Sequence, residues 1–168
     1  MKPSPVINSS PLIALVAALP DFGMLAGIVE KLIIPSEVLA ELAAGGHKDD
    51  TAARVSATPW CRVLPLRPPQ FNPLLATLGS GEAAVIQAAL EHELPLVIID
   101  EVRGRRTARL AGLRVVGSLG ILVELHRAGL LVSVGSAIHA MKQKGIYVAP
   151  ELVDLTLQAA GEAEPLID

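Results

Sequence analysis

Asn8, Glu41, Glu82 and Asp100 recur at the loop ends of one alternating α/β pattern in this chain. Asp100 is the most telling. It closes the run Pro95-Leu96-Val97-Ile98-Ile99-Asp100, an apolar stretch of the kind a parallel strand needs when both its faces are buried. Ligands of open α/β sheets bind outside the carboxyl ends of the strands, so a carboxylate there faces a crevice and not the core. Each acid also has a plainer use. Asp100 can cap the helix that follows it. Glu82 lies in a first helical turn, where the dipole favours a carboxylate, and Glu41 shares with Glu37 a helix that water can solvate. Only their convergence at one sheet edge makes a site of them.

The elements that must bring them together are legible in outline. Val6-Ile7 reads as a first strand and Pro11 to Leu19 as an apolar helix, with Ser9 or Ser10 as its cap and Pro11 in its first turn. A second helix is predicted over Phe22 to Lys31, then a strand over Leu32-Ile33-Ile34, and a helix from Pro35 to about Ala44 that Gly45-Gly46 ends. Residues 47–59 are polar and carry at most a short helix, Cys61 to Leu66 reads as a strand, and Arg67 to Pro73 is a proline-rich loop. Ser80 to Glu93 has the apolar stripe of a helix. A strand over 95–99, a helix of about 102–111 and a strand from Leu113 to Val116 follow. Three helices near 118–128, 133–144 and 150–160 are divided by Gly129, Gly145 and Pro150. Five short strands alternating with helices predict a mostly parallel sheet, and right-handed crossovers leave few topologies. In the order 3-2-1-4-5, strands 1 and 4 are neighbours and Asn8 and Asp100 end them. The expected organisation is one domain over 1–168, with about 130–168 as a C-terminal helical extension.

Composition narrows the function. At 168 residues the chain can bury a full core. Only 2% of it is aromatic, too little for a stacking platform that tracks a single strand. The net charge is −3, so any nucleic-acid contact must come from a local patch. Mean hydropathy is +0.50, yet Pro11, Pro20 and Asp21 interrupt the apolar N-terminal stretch, and no segment approaches the ~20 uninterrupted residues of a membrane span. Residues 1–10 do not read as a signal peptide. A single cysteine, Cys61, rules out an intrachain disulfide and fits a reducing, cytoplasmic setting; on a strand it reads as a small apolar residue more readily than as a reactive thiol.

Other uses of the architecture fail on motif. Gly79-Ser80-Gly81 lacks the third glycine and the preceding strand of a dinucleotide loop. No phosphate-binding GxxxxGK(S/T) loop is present, and Asn8-Ser9-Ser10 lacks the acidic pair of a receiver-type phosphoacceptor. His47, His92, His126 and His139 have no metal-ligand spacing.

Four segments then resemble, in order and spacing, the motifs of PIN-domain proteins. Val6-Ile7-Asn8-Ser9-Ser10-Pro11-Leu12-Ile13 is similar to their opening strand and helix. Ile34-Pro35-Ser36-Glu37-Val38-Leu39-Ala40-Glu41-Leu42 resembles the second motif, Gly81-Glu82-Ala83-Ala84-Val85-Ile86 the third, and Ile98-Ile99-Asp100-Glu101 the fourth. Arg103-Gly104-Arg105-Arg106-Thr107-Ala108, Gly112-Leu113 and Gly117-Ser118-Leu119-Gly120 resemble a subgroup close to the VapC-like toxins of type II toxin–antitoxin pairs. The resemblance covers roughly residues 4–145. It implies a PIN-like α/β/α sandwich and a ribonuclease that depends on Mg²⁺ or Mn²⁺. Both ions prefer oxygen ligands, and a bound ion generates the nucleophile and offsets charge on the phosphate. By position Asp100 would be the main ligand, joined by Glu82, Glu41 and Asn8, with Ser10 and Glu101 in support. Asn8 departs from the pattern, because the family's first motif usually carries Asp, and an amide oxygen brings no charge.

Five arginines follow Asp100: Arg103, Arg105, Arg106, Arg109 and Arg114. Arg105 and Arg109 share a helix face, with Arg106 adjacent. Arginines beside an acidic centre suit a phosphodiester, since phosphate contacts dominate affinity; a solvated face paired with surface acids explains the same residues. Two functions therefore stand. One is a metal-dependent endoribonuclease, a toxin held by a small antitoxin protein. The other is a noncatalytic module of the same fold that binds RNA or another partner. The apolar early helices, from Leu12 to Ile28, exceed what one sheet face covers. With the resemblance, that implies a homodimer.

Overall fold

The computed structural model describes residues 1–45, 50–65 and 72–162. Its strands are Val6–Ile7 (β1), Leu32–Pro35 (β2), Cys61–Leu64 (β3), Leu96–Ile98 (β4) and Arg114–Val116 (β5). They form one sheet in the order β3-β2-β1-β4-β5, and every pairing is parallel. This is the expected order. β1 and β4 are the central neighbours, with Val6 opposite Val97 and Ile7 opposite Ile98. All four side chains are buried, which is why these strands are written as unbroken apolar runs. β3 lies at the edge, so Arg62 and Val63 can be exposed.

The helices are Ser9–Ala18 (α1), Ser36–Ala44 (α2), Thr51–Ser56 (α3), Ser80–Glu91 (α4), Val102–Leu110 (α5), Ser118–Arg127 (α6), Val134–Gln143 (α7) and Pro150–Ala160 (α8). α4 packs over β1, β2 and β4, and α5 lies beside it against β5. α1 packs with α6 and α7, and α8 closes over both. The sheet is thus flanked by helices as an α/β/α sandwich with extra C-terminal helices.

The helix predicted over Phe22 to Lys31 is instead a 3₁₀ helix, Phe22–Gly27. Two glycines weaken a longer helix here, and the Asp21 side chain accepts from Gly23 N at 2.8 Å, fixing a tight first turn. Gly27 lets Leu130 lie close, since a Cβ there would stand 2.2 Å from Leu130 Cδ1 and push that side chain aside. β5 begins at Arg114 and not Leu113. Gly112 takes φ +83 to end α5, and Leu113 N is spent on Ala108 O at 3.0 Å. The polar stretch 47–59 holds α3, with residues 47–49 outside the described residues. The last residue of the strand expected to reach Leu66 and most of the Arg67 to Pro73 loop also lie outside them.

Leu12, Leu15, Leu19, Phe22 and Leu25 are all buried. The C-terminal helices cover much of the apolar N-terminal segment, whereas Ile13, Val16, Met24 and Ile28 stay half-buried. Exposed apolar side chains include Tyr147, Leu152 and Leu155, and Val132, which shares a hollow with Leu19 and Met24. Glu162, just past α8, fastens the extension. Its carboxylate accepts from Val134 N at 2.5 Å, Gly135 N at 2.9 Å and Ser133 Oγ at 3.0 Å, satisfying the amino end of α7. Burial pushes this carboxyl up, but those donors and nearby His126 outweigh it and hold the group below its ordinary range. No helix among the described residues is long and apolar enough to cross a membrane.

Candidate functional site

Parallel pairing puts the carboxyl ends of β1, β4 and β5 at one edge, and the expected site residues gather there. Asn8 N donates to Ile98 O at 3.1 Å, extending the central pairing by one bond. That bond fixes Asn8 beside the β4–α5 turn, where it is 3% exposed. Its Nδ2 donates to Glu101 Oε2 at 3.3 Å, while its Oδ1 is buried without a partner. Ser10 Oγ donates to the other Glu101 oxygen. Both carboxylate oxygens of Glu101 are thus engaged. This residue caps α5 in sequence and ties the start of α1 to it.

Ser9 turns to a different acid. Its Oγ donates to Glu41 Oε2 at 3.0 Å, and Glu41 Oε1 accepts from Ser80 Oγ at 3.0 Å and from Gly81 N at 2.9 Å. A carboxylate from α2 thus sits on the amino end of α4, where amide groups and dipole both favour it. Gly81 makes the approach possible, because a Cβ there would lie 2.5 Å from Glu41 Oε2. The two serines expected as alternative caps of α1 do not cap it. Asn8 occupies the cap position without a side-chain bond, and both hydroxyls reach carboxylates on other elements.

Glu82 sits one turn into α4. Its Oε2 accepts from Gly79 N at 3.3 Å, half of a capping box. Its Oε1 is buried without a partner and faces α5, where a Cβ on Gly104 would lie 2.5 Å from it. Asp100 Oδ1 accepts from Ser118 N at 2.7 Å, joining β4 to the start of α6. Burial pushes the Asp100 carboxyl above its ordinary range; Ser118 and the charge of Arg105 draw it back, and Glu101 adds to the rise. Gly117 leaves room for both neighbours, since a Cβ there would stand 2.9 Å from Asp100 Oδ1 and from Arg105 Nη1.

Oxygen-only donors suit Mg²⁺ and Mn²⁺, and two buried oxygens lack donors, which is what a cation would satisfy. By donor type, Asn8 Oδ1 and Glu82 Oε1 suit such an ion, and Asp100 adds a carboxylate at the same sheet edge. Glu41 and Glu101 are engaged at both oxygens by protein donors. Among the described residues, no group of three or more His, Cys, Asp or Glu side chains is placed to hold a metal ion.

The arginines of α5 lie beside this edge. Arg105 Nη1 donates to Ile99 O at 2.9 Å and Arg103 Nη2 to Thr77 O at 2.5 Å. Arg106 and Arg109 are exposed. Among the described residues, none of the four forms an ion pair. Arg105 still lies near enough to Asp100 for its charge to act on that carboxyl. Cys61 is no nucleophile, because burial pushes its thiol up to about 12.

The sequence reading missed Ser9, Ser118 and the three glycines that admit the acids. Their signal was present: Gly81 precedes Glu82, and Gly117-Ser118 follows β5 as Asn8-Ser9 follows β1.

A parallel α/β/α sandwich with acids and a basic helix at its carboxyl edge places the chain among domains whose fold suits nucleic-acid binding. The particular family follows from comparison: a PIN domain family matches residues 4–162, and the chain belongs to it. No curated protein and no solved structure matches.

Proposed function

We propose that this PIN domain binds RNA along α5 and the adjoining crevice, with phosphodiester hydrolysis weak or lost. The arginines of α5, none of which forms a salt bridge among the described residues, carry this reading. A guanidinium bonded to a neutral carbonyl, as Arg103 and Arg105 are, keeps its full charge for a phosphate, and Arg106 and Arg109 present theirs to solvent. The acids nearby are moderated by helix amides and hydroxyls. Asn8 supports the loss of hydrolysis, since its amide donates to Glu101 where a carboxylate would repel it. An RNA ligand and a reduced Cys61 go with a cytoplasmic location.

A second reading, a metal-dependent ribonuclease of the VapC-like toxin kind, is favoured by the two orphaned oxygens, Asn8 Oδ1 and Glu82 Oε1. Asn8, Glu82 and Asp100 would hold Mg²⁺ or Mn²⁺, which when bound supplies an activated water and stabilises charge on the phosphate. A homodimer and a small antitoxin protein belong to this reading. Anisotropy of labelled single-stranded RNA in EDTA, then gel analysis of the same RNA with Mn²⁺, separates the two. Binding in EDTA with intact RNA supports the first, and Mn²⁺-dependent cleavage supports the second.

A further inference from the structure

A cavity of about 700 Å³ opens next to Asp100, between α1, the start of α6 and the α7–α8 connection. That volume falls in the range of small-molecule sites. Leu119, Ile146 and Leu152 make apolar walls, whereas Ser10, Asp100 and Arg105 line it with polar groups. Tyr147 also lines it and is 84% exposed. A ring so exposed is unusual in a chain with 2% aromatic residues. The other described rings with a stacking partner, Phe22 and Trp60, lie against each other with centroids 5.2 Å apart. Tyr147 has no ring partner among the described residues.

We infer that this cavity is a subsite for one unpaired nucleobase of RNA, stacked on Tyr147 beside the α5 arginine row. The inference rests on the RNA-binding reading and deepens it. Three features select a base over an apolar side chain of a protein partner. Arg105 belongs both to the arginine row and to the cavity lining, so a backbone following α5 delivers its next base there. Ser10, Asp100 and Arg105 hold Glu101, Ser118 N and Ile99 O, and their remaining donor and acceptor positions are what a base edge can use and an aliphatic side chain cannot. The exposed ring offers a π-face that any base can use. A duplex keeps its bases stacked inside, so the subsite takes a single strand or a flipped nucleotide.

A double-mutant cycle tests this on the full chain. Affinity for a labelled single-stranded RNA and for the same RNA with one abasic position is measured with the parent, Tyr147→Ala, Tyr147→Phe and Tyr147→Trp. The ring is exposed, so its removal leaves the core intact. Tyr147→Ala is expected to weaken intact RNA by about 5- to 150-fold, the worth of one stacked base. The Phe and Trp variants stay close to the parent. An abasic position at the bound register weakens the parent but not Tyr147→Ala, and the salt slope is unchanged. If the parent binds RNA with a steep salt slope and Tyr147→Ala binds equally well, the subsite is refuted while RNA binding stands. If the parent binds no RNA, both fall. If Tyr147→Ala loses only a protein partner, the cavity serves that partner and the inference is overturned.

Discussion

At the scale of single residues, position 8 separates the two functional readings. Asn8 gives a donor to Glu101 and keeps an unpartnered oxygen. Asn8→Asp preserves shape but replaces the donor with a second carboxylate facing Glu101. In EDTA this should cost about 1–3 kcal/mol, the price of an unmet buried polar group, and lower Tm by roughly 2–4 °C per kcal/mol. If an ion binds here, saturating Mn²⁺ reverses the sign, because ligand binding stabilises the state that holds it. An equal shift with and without Mn²⁺ removes Asn8 from any metal site. Asp100 gives a pH test. Its folded value is raised, so it stabilises the fold fully only below its ordinary value near 3.8 and loses that contribution as pH rises through the raised value. Asp100→Asn keeps an acceptor for Ser118 N and never charges. In EDTA it should melt higher than the parent at neutral pH, with the gap closing as pH falls below 3.8; a gap that does not change with pH contradicts the assignment. Asn8, Glu82 and Asp100 were legible in the sequence because each follows a strand or opens a helix, and Glu41 because it lies one turn beyond Glu37 on α2. Their hydrogen bonds were not, because which hydroxyl meets which acid depends on the distance between elements far apart in sequence, as with Ser9 and Glu41.

At the scale of elements, the proposed RNA contact falls on α5. Gly104 and Ala108 face the protein and are buried, while Arg103, Arg106 and Arg109 face outward. Replacing Arg105, Arg106 and Arg109 together with Ala should flatten the salt dependence of RNA binding, each lost phosphate contact reducing the log–log slope by roughly 0.7. A slope identical to the parent's would return α5 to an ordinary solvated face. The strand order was expected from the apolar runs that Asn8 and Asp100 close, which right-handed crossovers allow to be neighbours, though the runs alone do not prove it. The Phe22–Gly27 helix type was not. Its glycines, its Asp21 cap and its contact with Leu130 combine local cost with tertiary packing, and only the first is visible in a periodicity.

At the scale of the whole molecule, the C-terminal helices bury much of the apolar N-terminal segment and complete the cavity that Tyr147 lines. Glu162 holds that arrangement through the amino end of α7. Its folded value is lowered, so its contribution is present above the ordinary value near 4.5 and lost as pH falls through the folded value. Glu162→Gln should cost about 1 kcal/mol at neutral pH, the typical worth of a helix cap, with parent and variant converging in thermal melts below pH 4.5. A difference that persists at acid pH would show that the charge is not what the α7 amides hold. The extension was legible as two helices, but not as a cover on α1 and α6, because an apolar helix face does not name its partner. RNA binding itself is tested most directly by anisotropy of a labelled, unstructured RNA titrated with the full chain in EDTA, from about 50 to about 200 mM salt. A PIN domain that binds through α5 gives saturable binding without metal, weakening steeply with salt and lost in the triple-arginine variant. Absence of binding in EDTA, or binding that the arginines do not affect, would contradict it.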